Sequence, residues 1–597
     1  MVRVLLMILV LINISLASEI KWLSFKEGLE KAKKERKLII IDIYAQWCHW
    51  CNVMENTTYR NKTVIEKIEE DFIPVRVDAE KEPDINKRYN QGGLPTTVIL
   101  SPDGNILFGT GRYIPPEDMV KLLNFFSSLS ENEIKEYEDK TKLRIKAKLK
   151  HFSKKTREKE ISSKLIKKTF KVVKIRFDKK LGGFSGAPKF PIKELPYFLM
   201  LYTLFDNDEI GSWVVKTLDG YAKLIDKVEG GIFRYSTTAY WTFPHYEKLL
   251  KDQADLSVLF FNGYSFTGKS RFLQYANSIV RFTKEKLLDK NRFVFYNSQG
   301  ADIVDENGTL LMSGEEFFTK SKEDRETIIS ILGYSPKIEK SVYFSNNALM
   351  VKALFFSYAY NNSREDRVIA EKVLENIEKL GWTKKGIRYS PDINKYFLNT
   401  QVYTVEAYLT GYQTTGKTVY LEKAERLMGV ILDKYYSEKN GIFTDLNDTG
   451  ISLKHISFID DIINLNYRVA KNLYKLYLFT GKDLYKEKAD SVIKRLPDKP
   501  NLSVALAYYL YFKPPVVIHF IGKTYPYRDT FTVFPFWSFS HFININDKNR
   551  IKALGYKIPK DKAVFICNTN ICFKRLKSEE NLKREVFSIF KAYKELR

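Results

Sequence analysis

Short, unbroken apolar runs mark the start of the chain and long aromatic-rich stretches its middle, and the two patterns predict different architectures. Lys37–Ala45 reads K-L-I-I-I-D-I-Y-A, a buried strand interrupted by one acid, Asp42. An amphipathic stretch follows at Asn52–Tyr59, then a second strand at Phe72–Val77 and a helical segment at Pro83–Tyr89. An apolar run ending Val98-Ile99-Leu100 and a turn at Pro102-Asp103-Gly104 complete this region. From about residue 160 the pattern becomes helical and repeats. Thr267-Gly268-Lys269, Thr415-Gly416-Lys417 and Thr480-Gly481-Lys482 are followed at equal offsets by an aromatic (Phe272, Tyr420, Tyr485) and an alanine (Ala276, Ala424, Ala489). Weaker copies stand at Asn361-Asn362 and Asp206-Asn207. Each copy joins an aromatic-rich helix to an amphipathic one. With an opening helix at Ser163–Phe177 and a closing one at Leu502–Phe512, the count reaches that of an all-α (α/α)6 six-hairpin toroid.

The expected organisation is multidomain: an α/β unit at 19–128, a basic helical connector at 129–160, the toroid at 161–512 and a small C-terminal α/β segment at 513–597. Residues 1–18 read as a cleaved secretory signal peptide, with Arg3, the apolar run Val4–Ile12 and small residues at Ser15 and Ala17. An uncleaved N-terminal membrane anchor is the alternative. No later stretch is long and apolar enough to span a bilayer, so the mature chain is expected to lack an integral span and to be periplasmic or secreted. There, cysteines can oxidise.

That expectation gives weight to Cys48-His49-Trp50-Cys51, which follows the first strand and opens a helix. A cysteine at a helix N-terminus has its thiolate stabilised by the helix dipole, so Cys48 is the expected attacking sulfur and Cys51 the resolving one. His49, inside the motif, can tune the redox poise. The order of elements resembles a thioredoxin-like domain. In that resemblance Asp42 matches the buried acid that assists deprotonation of the resolving thiol, and Pro95 the proline, usually cis, beside the cysteines. A zinc half-site or a static disulfide would use the same spacing. A second pair, Cys567 and Cys572, is expected to form either a local disulfide or a redox relay with the first. No metal site and no cofactor are expected.

In the toroid, the T-G-K turns lie at one end and the longer connections at the other, where a pocket mouth is expected. Candidates there are His245, Glu247, Asp252, Asp302, His455, Asp460 and Asp461 for acid–base chemistry, with Asp445 nearby. Tyr235 and Trp241, with Tyr246 and Tyr296, would stack on sugar-like rings.

Composition narrows the classes. The 597 residues carry 97 Lys+Arg against 72 Asp+Glu, a formal charge of +25. The basic residues are spread without a nucleic-acid motif, so no nucleic-acid partner is expected. Four cysteines cannot staple a chain of this length, and 29 Gly with 19 Pro argue against an all-β protein.

Taken with Ala187-Pro188-Lys189-Phe190-Pro191, Arg234-Tyr235-Ser236, Pro244-His245-Tyr246-Glu247-Lys248, Asp252-Gln253-Ala254, Ala301-Asp302 and Asp460-Asp461, the C-H-W-C motif makes the chain resemble the spermatogenesis-associated protein 20-like thioredoxin-domain family. The resemblance implies a thioredoxin-like domain fused to a toroid similar to six-hairpin carbohydrate enzymes and sugar epimerases. Two departures stand out: Thr237-Thr238 where the family usually has an acid, and a short Tyr89–Pro95 loop. The leading expectation is a thiol–disulfide oxidoreductase acting on protein thiol or disulfide clients or an upstream redox partner, with a toroid that holds a client or carbohydrate-like ligand. The alternatives are a carbohydrate-active toroid enzyme, epimerase or hydrolase, with an accessory thioredoxin domain, and a binding module without toroid catalysis. Whether the pair runs as reductant or oxidant is left open.

Overall fold

The computed structural model describes residues 19–155, 158–438, 440–445, 459–522, 530–557, 563–569, 571–576 and 582–595. The expected signal peptide and His455 lie outside them.

The first unit is an α/β sandwich. Helix α1 (Phe25–Glu35) starts in a capping box, in which Ser24 and Glu27 satisfy each other's backbone N–H groups. Strand β1 (Leu38–Tyr44) lies parallel to β2 (Phe72–Asp78) and antiparallel to β3 (Thr96–Leu100). β3 in turn pairs with β4 (Ile106–Thr110), giving the order β2-β1-β3-β4. Helices cover both faces: Ile39, Ile41 and Ile43 join one core cluster and Ile40 another. A strand buried on both sides calls for apolar residues facing both ways, which is why β1 reads as an apolar run broken only by Asp42. Helices α2 (His49–Asn56), α3 (Lys62–Asp71), α4 (Pro83–Tyr89) and α5 (Pro116–Ser127) complete the unit, and α6 (Glu131–Lys155) leads onward.

The middle is a closed ring of twelve helices among the described residues. After α7 (Lys164–Arg176) come five hairpins: α8 (Glu194–Phe205) with α9 (Gly211–Ala222), α10 (Leu250–Thr267) with α11 (Ser270–Phe282), α12 (Phe344–Asn361) with α13 (Arg364–Gly381), α14 (Leu398–Thr415) with α15 (Thr418–Val430), and α16 (Ile459–Thr480) with α17 (Asp483–Arg495). Helix α18 (Leu502–Phe512) packs against both α7 and α8. The inner helices touch in sequence, α8-α10-α12-α14-α16-α18, and α18 returns to α8, so the ring closes. The T-G-K turns explain their own repetition. Gly268, Gly416 and Gly481 adopt positive φ (71°, 70° and 73°), which favours glycine, and the preceding threonine hydroxyl accepts the N–H of the lysine that follows. The aromatic and alanine at the repeat offsets are buried in the ring.

The C-terminal segment contains four strands where sequence reasoning expected two. β5 (Val516–Ile521) lies parallel to β6 (Ser538–Ile543) and antiparallel to β7 (Ala563–Cys567), which pairs with β8 (Cys572–Leu576). The order β6-β5-β7-β8 and these pairing senses repeat those of the first sheet. Helix α19 (Lys548–Ala553) packs on this sheet through Ile551, and α20 (Leu582–Glu595) packs on α8 of the ring. The unit sits on the T-G-K end of the ring: Ser265 near the end of α10 bonds Thr532 and Phe534, and the Tyr412 hydroxyl donates to the Phe542 carbonyl. Among the described residues no helix is long and apolar enough to cross a membrane.

Candidate functional site

Cys48 is the N-cap of α2, and the Cys51 N–H donates back to its sulfur at 3.2 Å. The two cysteines are joined as a disulfide. Leu94, which precedes Pro95 through a cis peptide, packs against the cluster of Ala45, Trp47, Cys48 and Cys51. On β1, Asp42 is buried and ion-paired with Arg76 at 3.1 Å, and Arg76 also reaches Glu55. Burial pushes the Asp42 carboxyl up to about 6, against the pull of Arg76.

The centre is covered by the toroid. Cys48 is 2% exposed and Cys51 5% exposed. The His49 Nδ1 lies 2.8 and 2.9 Å from the two oxygens of Asp302, whose carboxylate also accepts from Asn52 Nδ2 and the Gly314 N–H. The His49 backbone N–H, one of the unpaired donors at the start of α2, donates to Glu247 Oε1 at 3.3 Å. Leu249 packs on the cysteine cluster, and the Arg234 guanidinium lies 4.6 Å over the Trp47 ring. Burial lowers the His49 pKa, but the Asp302 hydrogen bond and the charges of Asp302 and Glu247 outweigh it and hold the imidazole above its ordinary value.

Further ties surround this contact. Lys395 pairs with Asp84, Lys87 with Asp445 at 2.8 Å, and the Asn56 amide donates to the Gly308 carbonyl. Glu80, beyond β2, accepts from Asn297, and its carbonyl accepts from the Tyr389 hydroxyl. Burial pushes the Glu80 carboxyl up to about 8, helped by the nearby Glu339 carboxylate. The mouth expected to be open is therefore capped by the first unit, because α2 and α4 carry side chains that complement it.

Of the expected toroid residues, Glu247 and Asp302 are buried against α2, and His245 lies close by, 3.5 Å from Glu247. Tyr235 stacks on His245 rather than facing an open groove. Asp252, at the start of α10, is partly buried, and burial raises its carboxyl against the pull of Lys251 and Arg234. Asp460 and Asp461 are exposed, and Asp460 accepts from Asn501. Trp241 corrects the stacking expectation: it is buried in the core, its indole N–H reaching the carbonyls of Leu181 and Gly182. It fits because Gly220 leaves the space that a Cβ would take, 2.7 Å from the indole nitrogen. Cys567 and Cys572 are also joined as a disulfide, on the hairpin between β7 and β8. That hairpin touches Tyr477, at the T-G-K end of α16. Asp461 at the mouth end is 16 residues away along α16, about 24 Å at helical rise, so the two disulfides sit at opposite ends of the ring. Sequence reasoning missed Glu80, Asn297 and Glu339, which have no motif of their own, and met Arg234 only as the start of the Arg234-Tyr235-Ser236 motif, with no role at the cysteines.

Comparison with known proteins bears on both units. The family described as "Protein of unknown function, DUF255" (Thioredox_DsbH) matches residues 12–156. Spermatogenesis-associated protein 20 of Mus musculus is 28% identical over 409 residues, covering 64% of this chain. The match takes in 50% of that relative, so the chain spans about half its length. Thioredoxin-1 of Drosophila yakuba is 30% identical over 105 residues, which is 18% of this chain and 89% of that protein. Among solved structures, one titled as a D-mannose isomerase aligns with a TM-score of 0.43 at 12% identity, covering 58% of this chain and 94% of that one.

Proposed function

We propose that this chain, which belongs to the spermatogenesis-associated protein 20-like thioredoxin-domain family, is a thiol–disulfide oxidoreductase whose redox centre is held shut against its own toroid. The observation that carries the reading is the Cys48–Cys51 disulfide at the start of α2, with Leu94 packed on it and the toroid carboxylates Asp302 and Glu247 gripping His49.

The chemistry is dithiol–disulfide exchange. The Cys48 thiolate attacks one sulfur of a client disulfide, a mixed disulfide forms, and the other client sulfur leaves as a thiolate. Cys51, its proton taken up by Asp42, then attacks the Cys48 sulfur, restoring the Cys48–Cys51 disulfide and releasing the second client thiol. An upstream dithiol returns the pair to the reduced state, and the partners' potentials set the net direction. With both sulfurs covered, a protein client reaches Cys48 only when the first unit lifts from the mouth. Docking also favours the oxidised form. A Cys48 thiolate at the start of α2 would share that site with the Glu247 and Asp302 carboxylates, and like charges repel in a buried setting. Reduction therefore loosens the contact and oxidation restores it.

Action outside the cytoplasm, in a periplasm or secreted, is supported by the two disulfides and by the signal-like sequence of residues 1–18. Of the acids a carbohydrate-active reading requires, Glu247 and Asp302 face the redox helix. Insulin reduction by the full chain, together with trapping by Cys51→Ser, tests the proposal. Turnover of insulin disulfides and mixed disulfides through Cys48 are expected; a Cys51→Ser protein that captures no client would refute it.

A further inference from the structure

The inner helices of the ring line a cavity of about 90 Å³ that the redox chemistry does not use. Several waters would fit, since one needs roughly 10–15 Å³ on this measure. Its wall carries five cations and three carboxylates: Lys193, Lys352, Arg468, Lys471 and Lys475 against Glu194, Asp255 and Glu406. Most of these are matched. Lys193 pairs with Asp255, and Lys352 and Arg468 both pair with Glu406, Arg468 through two bonds of 2.7 Å.

Lys471 and Lys475 are left over. They stand one turn apart on α16, and neither has a carboxylate within 4 Å among the described residues. Their ammonium groups instead lie over aromatic faces, Lys471 at 3.6 Å from Phe536 and Lys475 at 4.5 Å from Phe539. Two buried hydrogen-bonding atoms on the same wall also lack partners among the described residues, the Tyr467 hydroxyl and Asn262 Oδ1. Buried cations and polar atoms are costly to leave unmatched, so this arrangement calls for a ligand that matches them.

We propose that the cavity binds a phosphorylated, hydroxyl-bearing small molecule, with the Lys471 and Lys475 ammonium groups on the phosphate. Three features select this class. The unmatched cations are ammonium point charges, which suit a tetrahedral oxyanion, while the planar guanidinium of Arg468 is already committed to Glu406. Asn262 Oδ1 is an acceptor without a donor, and a ligand hydroxyl supplies one. Apolar side chains of the same wall, Val258, Phe356 and Leu506, would lie against the carbon skeleton of such a molecule. Phe531, Pro535 and Phe536 of the C-terminal unit form part of the lining, so that unit completes the site.

The titration of the lysines agrees with this geometry. Burial, then the charge of Lys352, lowers Lys475 to about 7. Burial, then the charges of Lys475 and Lys352, lowers Lys471 well below its usual range. Glu406 pulls in the other direction for both, and Arg468 adds to the lowering at Lys471. A bound dianion favours the charged ammonium forms, so binding near neutral pH takes up protons.

Calorimetric titration of the full chain at pH 7 with inorganic phosphate, glucose 6-phosphate and glucose, in buffers of different ionisation enthalpy, tests the proposal. One molar equivalent of glucose 6-phosphate is expected to bind with proton uptake, at least tenfold more tightly than phosphate, while glucose does not bind. Lys471→Met with Lys475→Met should weaken binding at least about 100-fold, the loss of two charge-assisted contacts. That pair removes buried charge and should leave the fold intact. Lys475→Arg should keep binding and reduce proton uptake. Binding of glucose as tight as that of its phosphate, phosphate binding equal to the sugar phosphate, unchanged binding in the double variant, or no saturable binding by about 10 mM would each overturn the proposal. None of these results bears on thiol exchange at Cys48.

Discussion

Asp302→Asn isolates the latch over the redox centre. The substitution keeps the shape of the side chain and an oxygen to accept the Gly314 N–H, but it removes the charge that pairs with His49 at 2.8 Å. The Asp302 side chain is fully buried and that of His49 is 26% exposed, so solvent screens the pair only in part. A hydrogen bond to a charged group contributes about 1.5–3 kcal/mol net. Taking about 2 kcal/mol, the open form becomes roughly 30-fold more populated. With the cysteines covered when docked, reduction of the Cys48–Cys51 disulfide by dithiothreitol proceeds through the open form, and its rate follows that population. The assay is the pseudo-first-order reduction rate at pH 7, read by quenching with a thiol-specific alkylator and mass spectrometry. The rate should rise about 30-fold in Asp302→Asn with native circular dichroism retained. A rate within about twofold of the parent would mean either that the sulfurs are reached without undocking or that His49–Asp302 contributes nothing to it.

Other consequences can be checked independently. In the docked structure burial pushes the Glu80 carboxyl up to about 8, and the toroid's Glu339 across the contact adds to the rise. The docked form thus binds the proton more tightly, and docking weakens as pH climbs from about 4.5 to 8. Glu80→Gln should flatten that dependence in the same reduction assay, once rates are normalised to thiolate concentration. His49, held above its ordinary value, acts in the same sense: its contribution to docking is complete below about 6.5 and is lost as pH rises through the raised pKa. Asp42 is raised to about 6 on folding, so the folded form binds its proton more tightly and stability falls as pH rises from about 4 to 6. Asp42→Asn should remove that fall, stabilising the first unit by up to about 3 kcal/mol at pH 7 in denaturant titrations, while slowing insulin reduction roughly tenfold or more. Replacing Cys567 and Cys572 with serine opens a short loop, the two being 5 positions apart. It should cost about 2 kcal/mol of stability and leave insulin reduction unchanged; a loss of turnover would instead mark the pair as a relay.

Much of the architecture is legible in the sequence because it is enforced locally. Gly268, Gly416 and Gly481 repeat because a left-handed backbone favours glycine there, and the threonine hydroxyl before each accepts the N–H of the lysine after it. Cys48 and Cys51 announce themselves because a helix N-terminus must follow a buried strand within a few residues. What the sequence hides is long-range. His49 and Asp302 are 253 residues apart, so nothing local shows that an acid expected at an open mouth grips the redox helix. Trp241 sits in a long connection and looks available for stacking, yet the space it fills is made by Gly220 on α9. Lys471 and Lys475 resemble one solvated face of an amphipathic helix. The available signal was that α16 is among the aromatic-rich helices, which form the inner ring and turn those lysines inward. The C-terminal sheet was half seen, because β6 reads S-F-S-H-F-I, an alternation that suggests a half-exposed strand, whereas all of its residues are buried.

The central claim is that Cys48 and Cys51 form a redox-active pair kept shut by the toroid. Equilibration of the full chain in graded glutathione and dithiothreitol buffers, with Cys567→Ser and Cys572→Ser to leave one pair, measures it directly. The expected result is a two-electron transition at a potential between about −270 and −120 mV, the span of thiol oxidoreductases, moved toward more reducible values by Asp302→Asn. A pair still oxidised below about −300 mV, unmoved by Asp302→Asn, would be a static structural disulfide and would contradict the account.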